Sequence, residues 1–215
     1  MSNSLLKATF QTIYMVFFSS LFSTIIGGFL GIVLVVTDKN GIKRNKFVYS
    51  VLSFFVNLFR SVPFLILIIY ILPISKALIN KMTGPTAAII PLTVSAIPFV
   101  ARIFENALKE VDYGTLEASI SIGSSDKEII KVMLSEALPT LVNGITLTVI
   151  NLIGYSAMAG TVGAQGLGDL AITYGYHRFD YVQMTVPVVI IIILVQIIQL
   201  LGNYISKRIN KKISI

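Results

Sequence analysis

Residues Phe10–Val36 read FQTIYMVFFSSLFSTIIGGFLGIVLVV, with no charged side chain. A bilayer crossing takes about 20 predominantly apolar residues at about 1.5 Å each, so this run predicts a membrane-spanning helix. Lys7 precedes it, but no small-residue cleavage site follows a short apolar core, so the expectation is a retained span. Four further runs of the same kind follow, at roughly Phe47–Ile74, Pro85–Ala101, Leu138–Ala159 and Val182–Ile205. The expected fold class is all-α: one polytopic membrane domain over residues 1–215. Its spans lie near 10–36, 47–74, 85–101, 138–159 and 182–205, and a cytoplasmic loop covers 102–137.

Composition points the same way. Of 215 residues, 55% are apolar and 13% charged, and the mean hydropathy is +0.85. Soluble domains carry about 25% charged residues, so much of this surface is expected to face lipid. The absence of cysteine excludes disulfides and thiolate metal sites. A single histidine, His177, leaves no partner set for a metal cluster or a nucleophile–His pair. No catalytic residue and no metal ligand is therefore expected.

The net charge of +7 matters less than its sidedness. Lys39, Lys43, Arg44 and Lys46 lie in one loop. Arg102, Lys109, Lys127 and Lys131 lie in another, and Lys207, Arg208, Lys211 and Lys212 in the tail. These twelve fall on one side, against Lys7, Lys76, Lys81 and Arg178 on the other. The positive-inside rule then puts the N-terminus outside and the C-terminus in the cytoplasm. The basic balance is read as membrane topology, with no nucleic-acid partner.

The expected spans contain irregularities. Pro63, Pro73, Pro85, Pro91, Pro98 and Pro187 fall in or beside them, and each internal proline removes a backbone donor. Gly27, Gly28 and Gly31 let a neighbouring helix approach closely. Asn143, Asn151, Gln196 and Gln199 put amides at hydrocarbon depth, where they bond across helices or line a passage. Asn151, Tyr155 and Met158 share a helix face. Arg60, with Ser61 and Pro63, is a second candidate for the path or its gate, since an arginine in a span must face protein, water or carbonyls. Gly160, Gly163, Gly166 and Gly168 suggest an irregular loop at the outer mouth. Tyr174, Tyr176, Phe179 and Tyr181 read as an interfacial belt or a docking surface.

No Asp or Glu falls within the five expected spans. Ion-coupled carriers use intramembrane carboxylates or unwound carbonyl sites, and the first are missing. A phosphate-binding G-x-x-x-x-G-K-[ST] loop is missing too. Active transport would take its energy from another subunit.

The stretch Arg102–Pro139 holds seven of the ten acidic residues. It reads as two short helices with a sharp break. The first covers roughly Thr115–Ile122, preceded by Gly114 and followed by Gly123, which suits a left-handed C-cap. Ser125 and Glu128 then form a capping box for the second. About eight residues make a marginal helix alone. Leu116 and Ile120 form an apolar pair at i,i+4, and Ala118 and Ser119 are small. Such a rod suits a groove on another protein, or packs back on its own chain.

Here the residues resemble a family. Leu116-Glu117-Ala118-Ser119, with Gly123 six residues after Glu117, resembles the coupling loop of ATP-binding-cassette (ABC) importer permeases, E-A-A-x3-G-x9-I-x-L-P. Ser119 replaces the second alanine, Met133 the isoleucine, and Leu138-Pro139 comes three residues late. Arg60-Ser61-Val62-Pro63-Phe64 is similar to the R-S-x-P-F signature of amino-acid-type permeases. Ala96–Arg102, Glu105–Leu108, Gly166–Ala171 and Tyr174–Phe179 resemble the methionine-importer branch.

The resemblance implies a type I-like bacterial permease for methionine, a related amino acid or a methionyl peptide. It implies a homodimer in the cytoplasmic membrane, two cytoplasmic ABC ATPase subunits and an extracytoplasmic substrate-binding lipoprotein. ATP and magnesium would be bound by the ATPase, with no cofactor in this chain. Leu116, Glu117, Ala118, Ser119, Ile120 and Gly123 would carry the coupling. An importer for another small amino acid, an ion-coupled carrier or channel, and an intramembrane enzyme are the competing readings.

Overall fold

A computed structural model describes residues 2–213 of the chain. Of the basic tail, the side chains of Lys211 and Lys212 lie outside the described set. The described residues form nine α-helices and one π-helical turn, and no strand among them. In order these are α1 (Ser2–Thr37), α2 (Lys46–Ser61), α3 (Phe64–Ile79), α4 (Pro85–Lys109), α5 (Tyr113–Ser121), α6 (Asp126–Glu136), α7 (Leu138–Gly160), α8 (Leu167–Ile172) and α9 (Tyr181–Ile213). The π-turn covers Thr173–His177.

Four helices, α1, α4, α7 and α9, are long and apolar enough to cross a bilayer. The expected second span, 47–74, is not one straight rod. It is two helices, α2 and α3, with the chain bent by 108° between them. Pro63 supplies no N–H, and the residue before a proline is pushed out of the helical region. Val62 is accordingly extended, at φ −81° and ψ 124°. Each arm has 16 residues, or about 24 Å, short of the roughly 30 Å hydrocarbon core. The chain therefore has four full-length crossings plus one bent pair.

The other ends extend further than expected. The third expected span does not stop at Ala101 but runs on to Lys109 as α4, so the first part of the 102–137 loop is helical. Extended this way, α4 brings Glu105 into a candidate span, where the sequence reading had no acid. The first and last helices likewise outrun 10–36 and 182–205.

Helices α1 and α4 form the central pair, with α7 against both and α9 against α7. Glycines set the closeness of the central pair, as the sequence suggests. A Cβ on Gly27 would lie 2.7 Å from the Ile97 carbonyl oxygen. One on Gly31 would lie 2.4 Å from Phe104 Cβ and 2.6 Å from the Ala101 oxygen. Gly31→Val is expected to force the helices apart and cost about 1–3 kcal/mol, as overpacking does. Gly154→Ala is the control, because nothing lies within 4 Å of that added carbon. Thermal unfolding in detergent would separate the two, and equal melting temperatures would contradict the close-packed seam.

Two large apolar clusters hold the bundle, beside a smaller one of Leu34, Val56 and Ala101. One gathers Met15, Phe64, Ile68, Leu92, Leu152 and Ala164 near one end. There the glycine-rich loop after α7 is pinned: Gly84 donates its N–H to the Gly163 carbonyl (2.8 Å), and Leu167 donates to Thr12 Oγ1 (3.0 Å). The other cluster gathers Val35, Phe104, Leu108, Ile129, Met133 and Leu141 at the opposite end, beneath α5 and α6. Buried Pro91 and Pro98 leave α4 continuous. Most of α9 is uncovered by its own chain.

Candidate coupling helix and translocation path

Helix α5 starts earlier than the sequence suggests. The Asp112 carboxylate accepts the Thr115 N–H (3.2 Å), so Gly114 lies inside the helix, which covers Tyr113–Ser121. Its end is as expected. Gly123 has φ +80° and donates to the Ile120 carbonyl (2.9 Å), while Ser124 donates to Ser119 (3.1 Å). These two bonds make a Schellman stop, and the left-handed residue is the one where a side chain is disfavoured. Helix α6 begins at once. The Glu128 carboxylate accepts from the Ser125 N–H and hydroxyl, both at 2.7 Å. Those bonds hold the Glu128 carboxyl below its ordinary range.

The six residues singled out for coupling do not share one outward face. Leu116 is half-buried against the lower cluster, and Ser119 is buried with its hydroxyl on the Thr115 carbonyl (2.9 Å). Glu117, Ala118, Ile120 and Gly123 are exposed. The expected Leu116–Ile120 pair is thus divided, with Leu116 an anchor and Ile120 a free tooth. Tyr113 and Ile122 extend that free apolar surface.

A network that the sequence reading missed lies at the end of α4, the helix that precedes α5. Glu105, 2% exposed, accepts from Arg102, from Lys109 Nζ (2.8 Å) and from the Tyr49 hydroxyl (3.0 Å). Arg102 also donates to Ser53 Oγ (2.6 Å) and Asn57 Oδ1 (2.9 Å) on α2. Lys109 reaches Asp38 in the α1–α2 loop (2.9 Å). Burial works against the Asp38 charge, but the Lys109 bond and the Lys39 N–H outweigh it and hold the carboxyl below its usual value. The available signal was opposite charges at i, i+3 and i+7 on one helical face. A carboxylate held by two cations and a phenol is not free to shuttle an ion.

The path candidates fall into two groups. On α7, Asn143, Leu147, Asn151, Gly154 and Met158 form one stripe open to the outside of the chain. Tyr155 turns away from it and stacks flat on Phe64, with centroids 4.5 Å apart and planes 5° apart. That stack ties the Pro63 elbow to α7. Arg60 and Ser61 are exposed at the elbow, Ser61 bonding back to the Asn57 carbonyl (2.9 Å). The expected cross-helix amide bonds are absent where described: Gln199 pairs with Asn203 on its own helix (2.9 Å), and Asn143 and Asn151 are exposed. Beyond α8, Tyr176, Phe179 and Tyr181 are exposed, and Arg178 lies over the Tyr174 ring. Burial pushes the Asp169 carboxyl up, with His177 opposing.

Residues 23–215 match the family described as binding-protein-dependent transport system inner membrane component. The chain belongs to this family. As a transport permease it is 49% identical over 212 residues to the Vibrio cholerae protein named "Probable D-methionine transport system permease protein MetI", covering 98% of this chain and 94% of that one. It is 45% identical over 207 residues to "Methionine import system permease protein MetP" of Bacillus subtilis, covering 96% and 93%. A solved permease chain described as "Inward facing conformations of the MetNI methionine ABC transporter" matches at TM-score 0.95 and 42% identity over 97% of each chain. The family resemblance read from the Glu117–Gly123 run is borne out, and so is the all-helical, multi-pass fold.

Proposed function

We propose that this permease is the membrane subunit of an ABC importer carrying methionine, or a close chemical relative, into the bacterial cytoplasm. One observation carries the reading: α5, a short helix stopped hard at both ends, holds an outer surface of Tyr113, Glu117, Ile120 and Ile122 between two anchored helices. A helix of nine residues is too short to be stable alone. Held rigidly, it suits a groove on a partner ATPase. ATP and magnesium belong to that ATPase, and this chain hydrolyses nothing.

In this reading two copies of the chain pair, with the open α7 stripe and the Pro63 elbow lining the passage between them. Asn143 and Asn151 would offer amides to a zwitterionic solute, and Leu147 and Met158 an apolar wall. Arg60 and Ser61 would stand at a gate. An extracytoplasmic binding lipoprotein delivers the solute, two ATPase subunits dock on the two α5 helices, the N-terminus lies outside and the C-terminus in the cytoplasm. The resemblance to the Vibrio and Bacillus permeases supports methionine as the cargo.

Uptake of radiolabelled methionine in a strain lacking its other methionine carriers tests the cargo. Expression of the assembled system should restore uptake, and unlabelled methionine should compete. Uptake unaffected by deleting this chain would remove methionine from the account and leave the transporter class standing.

A further inference from the structure

The loop between α1 and α2 touches the coupling element on both sides. Before α5, Asp38 pairs with Lys109, the last residue of α4, at 2.9 Å. After α5, Lys43 pairs with Asp126, the first residue of α6, at 2.9 Å. Between these two anchors, Ile42 packs into the same apolar cluster as Leu116 of α5 and Ile129 and Met133 of α6. The loop therefore has one apolar tooth beneath α5 and an ion pair at each flank.

The loop is itself fastened to α1. Lys43 donates its N–H to the Val36 carbonyl and Asn45 donates to Thr37, both at 3.0 Å, while Gly41 donates to Asp38 at 2.9 Å. A Cβ at Gly41 would lie 2.3 Å from the Val35 oxygen, so the backbone folds tightly onto the helix end. Asn45 then caps α2 by accepting the Val48 N–H at 3.1 Å. A displacement of α5 thus meets a short, bonded connector leading straight into α1 and α2.

We propose that the segment Asp38–Asn45 is a strap that seats α5 and passes its movement to α1 and α2, with Asp38, Ile42, Lys43, Lys109 and Asp126 as positioning residues for energy coupling. This rests on the reading of α5 as the ATPase-docking helix. The strap acts on geometry more than on stability, because Lys43 and Asp126 are 70% and 46% exposed and such pairs add little to folding.

The test uses the whole transporter, permease with its co-expressed ATPase, reconstituted in vesicles with methionine. Lys43→Asp places like charges together at the far anchor. It should leave the melting temperature and the amount of ATPase co-purified unchanged, while methionine moved per ATP hydrolysed falls roughly two- to five-fold, the span of one ion pair. Adding Asp126→Lys restores opposite charges and should recover most of that ratio. Ile42→Ala should lower the ratio as well. An unchanged ratio in Lys43→Asp, or a loss that the reversed pair does not recover, overturns the strap. A wild-type permease that brings down no ATPase overturns the function reading first, and the strap with it.

Discussion

Glu105→Ala is expected to lose about 3–5 kcal/mol of stability, the loss seen when one partner of a buried ion pair is removed. Glu105 is 2% exposed and answers Arg102, Lys109 and Tyr49 together. Without it, a guanidinium and an ammonium face each other with only neutral groups and Asp38 to balance them. The helix end would splay, since those bonds tie α4 to α2 and to the α1–α2 loop. Glu105→Gln keeps an acceptor but drops the charge, so its loss should be smaller. Thermal unfolding of the purified complex reads both. If alanine melts within a degree or two of wild type, the network is decoration and does not hold the end of α4.

Gly123→Val should abolish most transport, a loss of at least about tenfold. A non-glycine residue held at positive φ stores about 1–3 kcal/mol of strain, and a β-branched one fits that region worst. Gly123 sits at φ +80° with open space around it, so the penalty comes from the backbone and not from a clash. The two bonds that stop α5, Gly123 to Ile120 and Ser124 to Ser119, would loosen. The helix would then present its outer surface in the wrong direction. Gly123→Asn should keep much of the activity, because asparagine tolerates this conformation. Uptake per assembled permease, with ATPase co-purification beside it, measures the effect. Normal uptake by the valine variant would count against α5 as the coupling element.

Much of this was legible because it is local. The Phe10–Val36 run, the Leu138 start and the apolar tail each give a helix from length and composition alone. Gly123 and the Ser125/Glu128 pair mark a stop and a start within a few residues. The bend at Pro63 was harder, because apolar runs on both sides hide a break that hydropathy averages away. Arg102, Glu105 and Lys109 looked like loop by composition, yet they neutralise one another on one face and let α4 continue. Asp112 displaced Gly114 as the boundary of α5 because its carboxylate reaches the Thr115 N–H. Leu116 turned inward for a reason no local pattern holds: Ile42, Ile129 and Met133 come from other parts of the chain to meet it.

The path is the least local of all. Asn143 and Asn151 lie on an open stripe whose covering, in the proposed dimer, comes from the second copy. Tyr155 shares their helical spacing, but Phe64 of α3 captures its ring. A single chain's pattern marks such a face as polar and helical without saying what it faces.

The natural chain has no cysteine, so one introduced thiol reports one place. Ser121→Cys puts it on the exposed end of α5. A membrane-permeant thiol-to-amine cross-linker, applied to the co-expressed transporter, should join permease to ATPase through this position. Gly154→Cys, on the open α7 stripe, should give no such product. Labelling of the α5 thiol from outside intact cells, with no cross-link to any nucleotide-hydrolysing partner, would contradict the account at its root.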